Sequence, residues 1–291
     1  MAEEGTPPAS RLEPAGAGLA ARVRKLDPDR YLTALFAPAE RRPALFALIA
    51  FNYEIARVRE VVTQPVLGHI RLQWWRDALE QTYAGAPPVH DVALALAAAI
   101  GEPGLGRAHL ERMIDAREAD LAPTPPARIE DLLSYAADSS GTLVELMLQA
   151  LGVTGEGSEE AARAVGTAYA LVGLARAIPF HARARRTYIP ESVLAEHGLT
   201  AEDLFRTASP AALPGAVGEI ARLARLHLVE ARELAGSVPR RAAPALLSAT
   251  VAEAYLGRLE RAGYDVFAPS VAERPPGLVW RLAAKAWTGR W

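Results

Sequence analysis

The sequence has no cysteine, which excludes a disulfide framework, a zinc–thiolate site and a cysteine nucleophile. That absence suits a reducing compartment. It also lacks a basic excess. Lys+Arg is 32 against Asp+Glu 34, so the broad positive surface of a nucleic-acid binder is not expected. No apolar run approaches the ~20 residues of a membrane-spanning helix; the longest, Val92 to Ile100, is too short. The start, MAEEGTPPASRLEPAGAG, has no basic region followed by an apolar stretch and is not a secretory signal. Nor is it the Arg-rich, acid-poor start of a transit peptide. Residues 1–24 are expected to be a disordered arm, because Pro, Gly and Glu there leave little to bury.

The familiar catalytic motifs are missing too. There is no GxxxxGK[ST] loop, no HExxH and no GxSxG. Gly104 and Gly106 begin a GxG, but no third glycine follows. The six histidines are scattered, and His227 with Glu230 on one helix face reads as a surface ion pair rather than a metal site. No metal site is expected.

What is present is helix. Alanine dominates, strand formers are scarce and hydrophobic residues make up 51% of the chain. Asp27-Pro28 caps and opens a helix through Tyr31 and Leu35, which Pro38 ends. Pro43 opens another through Val58, and Pro65 a third to Tyr83. The pattern predicts helices over Val89–Ile100, Gly106–Leu121, Ile129–Leu151 and from Ser158 to about Ala177. A basic, extended link from Arg183 to Pro190 follows, then short helices at Glu191–His197 and Thr200–Ala208. Long ones are expected at Pro214–Gly236 and Pro239–Ala262, and a last one after Pro275-Pro276. No repeat and no flexible linker divides the chain, so one all-α domain over 25–291 is expected. Asp115, Glu118 and Asp120 with Arg112 and Arg117 read as a solvated, salt-bridged face. Arg183, Arg185 and Arg186 read as a solvated charge run, with phosphate contact as the alternative.

Three stretches in this order resemble the squalene/phytoene-synthase family: ALIAFNYEIARVREV from Ala47, LQWWRDALEQTYAGAPPVHDVALAL from Leu72, and ARAIPFHARARRTYIPESVLAEHGL from Ala175. The resemblance spans nearly everything after the arm. It implies a single-domain, isoprenoid-synthase-like helical bundle. In that family two DxxxD motifs on facing helices hold Mg²⁺ against a prenyl diphosphate, since i and i+4 share a helix face. Here the first motif's positions fall on Ala56 and Glu60, with Arg57 where a further aspartate is common, and the second's on Ala177 and His181. One carboxylate does not organise a cluster of metal ions, and ionisation of a diphosphate loses its main electrostatic support without them.

The combination AFNYEIARVRE, RLQWWRDALEQ and ARAIPFHARARR further resembles a branch of the family in which those aspartates are lost, that of the mitochondrial respiratory complex I assembly factors. The resemblance implies a non-catalytic protein with no cofactor. Its partners would be respiratory complex I subunits or assembly intermediates, met on the cytoplasmic or matrix side and peripheral to the inner membrane. The alternative from the same family is a head-to-head prenyl-diphosphate transferase requiring Mg²⁺, with Glu54, Glu60 and Asp138 as its only replacement carboxylates. A third reading is an isoprenoid- or phospholipid-binding protein.

Tyr53, Glu54, Arg57, Glu60, Arg176 and His181 are expected around the former diphosphate site. There the arginines would bind a phosphate directly, or the charged members would form an ion-pair network filling the old cavity. Asp138, in a small-residue stretch, is expected one layer behind them. Trp74 and Trp75 face different ways, one into the core. The tail GLVWRLAAKAWTGRW, as a helix, aligns Trp280, Ala283, Ala284, Trp287 and Trp291 on one stripe with Arg281, Lys285 and Arg290 off it. That is the composition of a helix lying on a membrane surface, or of a terminal helix docking its tryptophans on the domain.

Overall fold

The computed structural model describes residues 15–101, 104–206 and 209–291, and no strand occurs among them. The first helix, α1 (Ala15–Leu26), corrects the expected arm. Leu19 and Val23 are one turn apart on the same face and are buried against α3 (Arg42–Ala56), which gives this segment something to pack. Residues 1–14 of that arm lie outside the described residues.

Between them, α2 (Pro28–Ala34) starts as its sequence dictates: Asp27 accepts the Arg30 backbone N–H at 3.0 Å, with proline in the first turn. Proline also sits in the first turn of α3 and of α5 (Pro65–Tyr83). The helix predicted from Pro43 through Val58 is broken. It stops at Ala56, turns at Arg57 and resumes as the single turn α4 (Val58–Val61). Next come α6 (Asp91–Gly101) and α7 (Arg107–Ala116), the latter tightening into a 3₁₀ turn over Arg117–Leu121.

The helix predicted over Ile129–Leu151 is two helices, α8 (Ile129–Ala136) and α9 (Thr142–Ala150), joined by a π-turn at Ala137–Gly141. The longest element of this half, α10 (Glu156–Arg176), packs on α9 and on that π-turn. It is followed through Ala177 by α11 (Ile178–Arg183), so the extended link begins only after Arg183.

The short α12 (Glu191–Glu196) and α13 (Ala201–Arg206) follow; the last two residues of the predicted Thr200–Ala208 helix lie outside the described ones. The second side of α10 is covered by α14 (Leu213–Glu233) and α16 (Ser248–Arg261), the latter preceded by the single turn α15 (Ala243–Leu246). The chain ends with α17 (Pro269–Ala272) and α18 (Leu278–Thr288). One continuous set of buried side chains runs from Leu19 to Trp291. No helix among the described residues is long and apolar enough to cross a membrane.

The approach of α10 to the π-turn is unusually close. A Cβ placed on Gly166 would lie 2.3 Å from the Ser140 carbonyl oxygen and 2.5 Å from Gly141 Cα. Only glycine on α10 permits this crossing, and the crossing fixes Ser140, which accepts a bond from the buried Arg30 at 2.9 Å. Arg30 is further held by Asp27 at 2.9 Å and lies over the Tyr169 ring at 4.2 Å.

Candidate functional site

Both stretches that carry the motif positions run into a break in their helix. After α3 the chain turns at Arg57, between Ala56 and Glu60, and after α10 it turns at Ala177. Glu60 is exposed, and Ala56 and Ala177 offer only methyl groups. The group of residues expected around one site is divided among three places.

The first is the seam between α1 and α3. Glu54 is paired with Arg22 and more loosely with Arg57 at 3.8 Å, and the Arg57 guanidinium lies 5.6 Å from the Tyr53 ring. Arg22 also reaches Asp91 at 2.6 Å. Glu54 and Arg57 border a cavity of about 340 Å³ whose other walls include Arg71, Trp74 and His90. Trp75 is buried and Trp74 is 41% exposed, and both meet the His90 ring edge-on.

The second place holds Arg176. Its guanidinium stacks 3.4 Å from the centre of the Tyr255 ring and donates to the carbonyls of Val271 (3.1 Å) and Ala272 (3.3 Å). Tyr255 in turn donates to Asp29, which also accepts from Arg274. Arg176 thus ties α10 to α16 and α17. The third place holds His181, in a buried polar network that sequence reasoning did not assemble. The five expected ionic members therefore do not form one shared network.

That network is built around Asp120 and Arg117, both on the 3₁₀ turn after α7. Asp120 is 4% exposed, and this corrects its assignment, and that of Arg117, to a solvated face. Arg117 donates to Tyr135 Oη at 2.5 Å and to Asn52 Oδ1 at 3.1 Å, and faces Asp120 at 3.6 Å. Tyr188 donates its hydroxyl proton to Asp120 Oδ1. Arg186 donates to the Asp120 carbonyl at 2.8 Å and to Tyr188 Oη at 3.1 Å. So Arg186 leaves the expected solvated run, while Arg185 stays exposed and paired with Glu202 at 2.8 Å. Of the remaining members of the charged face, Asp115 and Glu118 are at the surface as expected, paired there with Arg76, and Arg112 faces Glu145 at 3.8 Å.

The His181 ring packs 4.8 Å from the Tyr188 ring. Burial pushes its imidazole down to about 4; the nearby Arg186 guanidinium adds to this and Asp120 opposes it. Burial likewise raises the Tyr135 and Tyr188 hydroxyls. Both rings line a cavity of about 260 Å³ between the Pro123–Pro126 turn and Phe205.

These shifts fix a sign. The folded protein binds the His181 proton more weakly than the unfolded chain, whose ordinary value is 6.5. Stability therefore falls as pH drops from about 6.5 through about 4, by at most about 3 kcal/mol. His181→Gln is expected to flatten that part of the profile in urea titrations between pH 7 and 4.5. An unchanged slope in the variant would count against the burial of a neutral imidazole.

Asp138 is not behind this network. Its side chain is 41% exposed and faces Arg163 at 3.6 Å. Arg163 and Arg112 also meet the buried Glu145, a carboxylate that sequence reading passed over inside an apolar helix. His227 and Glu230 form the expected surface pair at 3.0 Å. Among the described residues no three His, Asp or Glu side chains converge as a metal site would need. The donor set does not fit a Mg²⁺ clamp: around His181 it is arginine, tyrosine, asparagine and histidine with one carboxylate, Asp120, and the other buried carboxylate, Glu145, is held separately by Arg163 and Arg112.

Comparison with known proteins places this geometry. The squalene synthase HpnC from Alicyclobacillus acidocaldarius has the same fold, with a TM-score of 0.75 over 86% of this chain and 94% of that one, at 23% identity. The NADH dehydrogenase (ubiquinone) complex I, assembly factor 6, of Mus musculus is 35% identical over 269 residues, covering 92% of this chain and 81% of the relative. A presqualene diphosphate synthase of Rhodopseudomonas palustris is 28% identical over 207 residues, covering 70% and 73% respectively. The family model described as squalene/phytoene synthase matches residues 23–284. The chain belongs to the squalene/phytoene synthase family.

Proposed function

We propose that this chain is a non-catalytic member of the family that acts in assembling respiratory NADH dehydrogenase (complex I), through contacts with complex I subunits or assembly intermediates on the cytoplasmic or matrix side. Similarity to assembly factor 6 along nearly the whole chain supports the partner. One observation carries the non-catalytic part: the interior holds the Arg117–Asp120–Tyr188–Arg186 network, with positive charge fixed by protein partners. A diphosphate-ionising site needs converging carboxylates and metal there instead. Glu54, Glu60 and Asp138, the carboxylates a transferase would have to use, are respectively paired to Arg22, exposed on α4 and paired to Arg163. Deleting the gene is expected to lower NADH:quinone oxidoreductase activity. Normal activity in the deletion strain, with Mg²⁺-dependent turnover of farnesyl diphosphate by the purified protein, would return the chain to the transferase reading that its fold and family also support.

A further inference from the structure

The last helix presents opposite faces to opposite surroundings. Leu278 and Leu282 of α18 are fully buried, and Trp291 beyond its end is buried against Arg232, whose guanidinium lies 4.9 Å from the indole. Trp280 and Trp287 do the reverse: they are 79% and 89% exposed. Seven residues are nearly two full turns, so these indoles point the same way, opposite the docked leucines. Ala284 between them is exposed as well, and Val279 is 48% exposed. Two large aromatics on one solvent face of a helix form an apolar stripe that a soluble surface rarely carries without a partner.

Beside the stripe, α18 and α16 enclose a cleft of about 390 Å³ lined by Arg281, Lys285 and Arg290. The one carboxylate in it, Glu253, is engaged by Arg232 at 2.7 Å. Among the described residues none of the three cations forms an ion pair. Residues 278–291 contain no Asp or Glu, although the chain as a whole carries a net charge of −2.

We propose that α18 seats the protein on an anionic phospholipid surface. Trp280 and Trp287 enter the interfacial layer, and Arg281, Lys285 and Arg290 hold lipid phosphates in the cleft. Indole suits that layer, because its ring is apolar and its N–H is satisfied by head groups. Charge decides between this occupant and a second copy. A two-fold pairing of the stripe would bring two sets of three cations together, whereas a phosphate surface neutralises them. The inference is independent of the complex I reading, since its test contains no respiratory component.

The purified chain is mixed with vesicles of phosphatidylcholine alone, or with about a third phosphatidylglycerol, and floated through a density gradient. It is expected to float with the anionic vesicles and to be released by high salt. Trp280→Ala/Trp287→Ala is expected to abolish flotation. Arg281→Gln/Lys285→Gln/Arg290→Gln is expected to weaken it about 100-fold, from the loss of three surface cations. Both variants change exposed side chains and are expected to keep the parent's melting curve. Failure to float, or equal flotation of parent and both variants, would overturn the proposal. So would a dimer in light scattering that Trp280→Ala/Trp287→Ala dissociates, which would assign the stripe to a second copy.

Discussion

Replacing Asp120 with alanine is expected to destabilise the protein by about 3–5 kcal/mol, read as a lowered urea midpoint. Asp120 is 4% exposed, receives the Tyr188 hydroxyl on its carboxylate, and faces both Arg117 and Arg186. Removing it leaves the buried Arg117 guanidinium with only neutral acceptors, Tyr135 and Asn52. An uncompensated charge in a low-dielectric interior costs far more than the lost bond. The pair itself contributes little net stability, because each ion was desolvated to make it. Asp120→Leu with Arg117→Met should therefore recover most of the loss, whereas either change alone should not. A deficit below about 1 kcal/mol for Asp120→Ala would mean that water reaches Arg117 and that the pair is not buried as described above.

Gly166→Ala is expected to cost about 2–4 kcal/mol, large for the addition of one methyl. The added carbon meets only backbone of the π-turn, Ser140 O at 2.3 Å and Gly141 Cα at 2.5 Å, so no side chain can rotate away. The π-turn would have to withdraw from α10, taking with it the Ser140 hydroxyl that satisfies Arg30. Gly173 lies on the same helix with nothing within 4 Å of its would-be Cβ. Gly173→Ala should accordingly gain about 0.5–1 kcal/mol through helix propensity. Opposite signs from the same substitution, seven residues apart on one helix, would locate the close crossing; equal and small effects would contradict it.

Helix starts were legible at Asp27-Pro28 and Pro65, where proline opens the helix; the start read at Ser158 lies at Glu156, and the helix read from Pro239 begins as a 3₁₀ turn and the single turn α15. Interruptions inside helices were not legible. Arg57, the π-turn at Ala137–Gly141 and the turn at Leu247 replace no apolar residue and contain no proline, so periodicity runs through them. The arm was drawn too long because the composition of its first part masked Leu19 and Val23 one turn apart.

At the site, charge misled. Arg117 and Asp120 follow a helix whose charged face is solvated, and the spacing alone does not show that its last turn becomes 3₁₀ and rotates both inward. Resemblance to a diphosphate site grouped Glu54, Arg57, Arg176 and His181, but Glu54 is claimed by Arg22 and Arg176 by Tyr255, both distant in sequence, while His181 packs on Tyr188 beside Arg186 in the link that follows it. The tail was read correctly in its Trp280/Trp287 stripe. Trp291 departs from it because α18 ends at Thr288 and the chain turns back to the domain.

The most direct test of an assembly role is the amount of intact complex I in a strain lacking this chain, resolved on native gels and stained for NADH dehydrogenase activity. A marked loss of the intact complex, accumulation of subassemblies and recovery on re-expression of the wild-type chain are expected. Intact complex at parental abundance in the deletion strain would contradict the role.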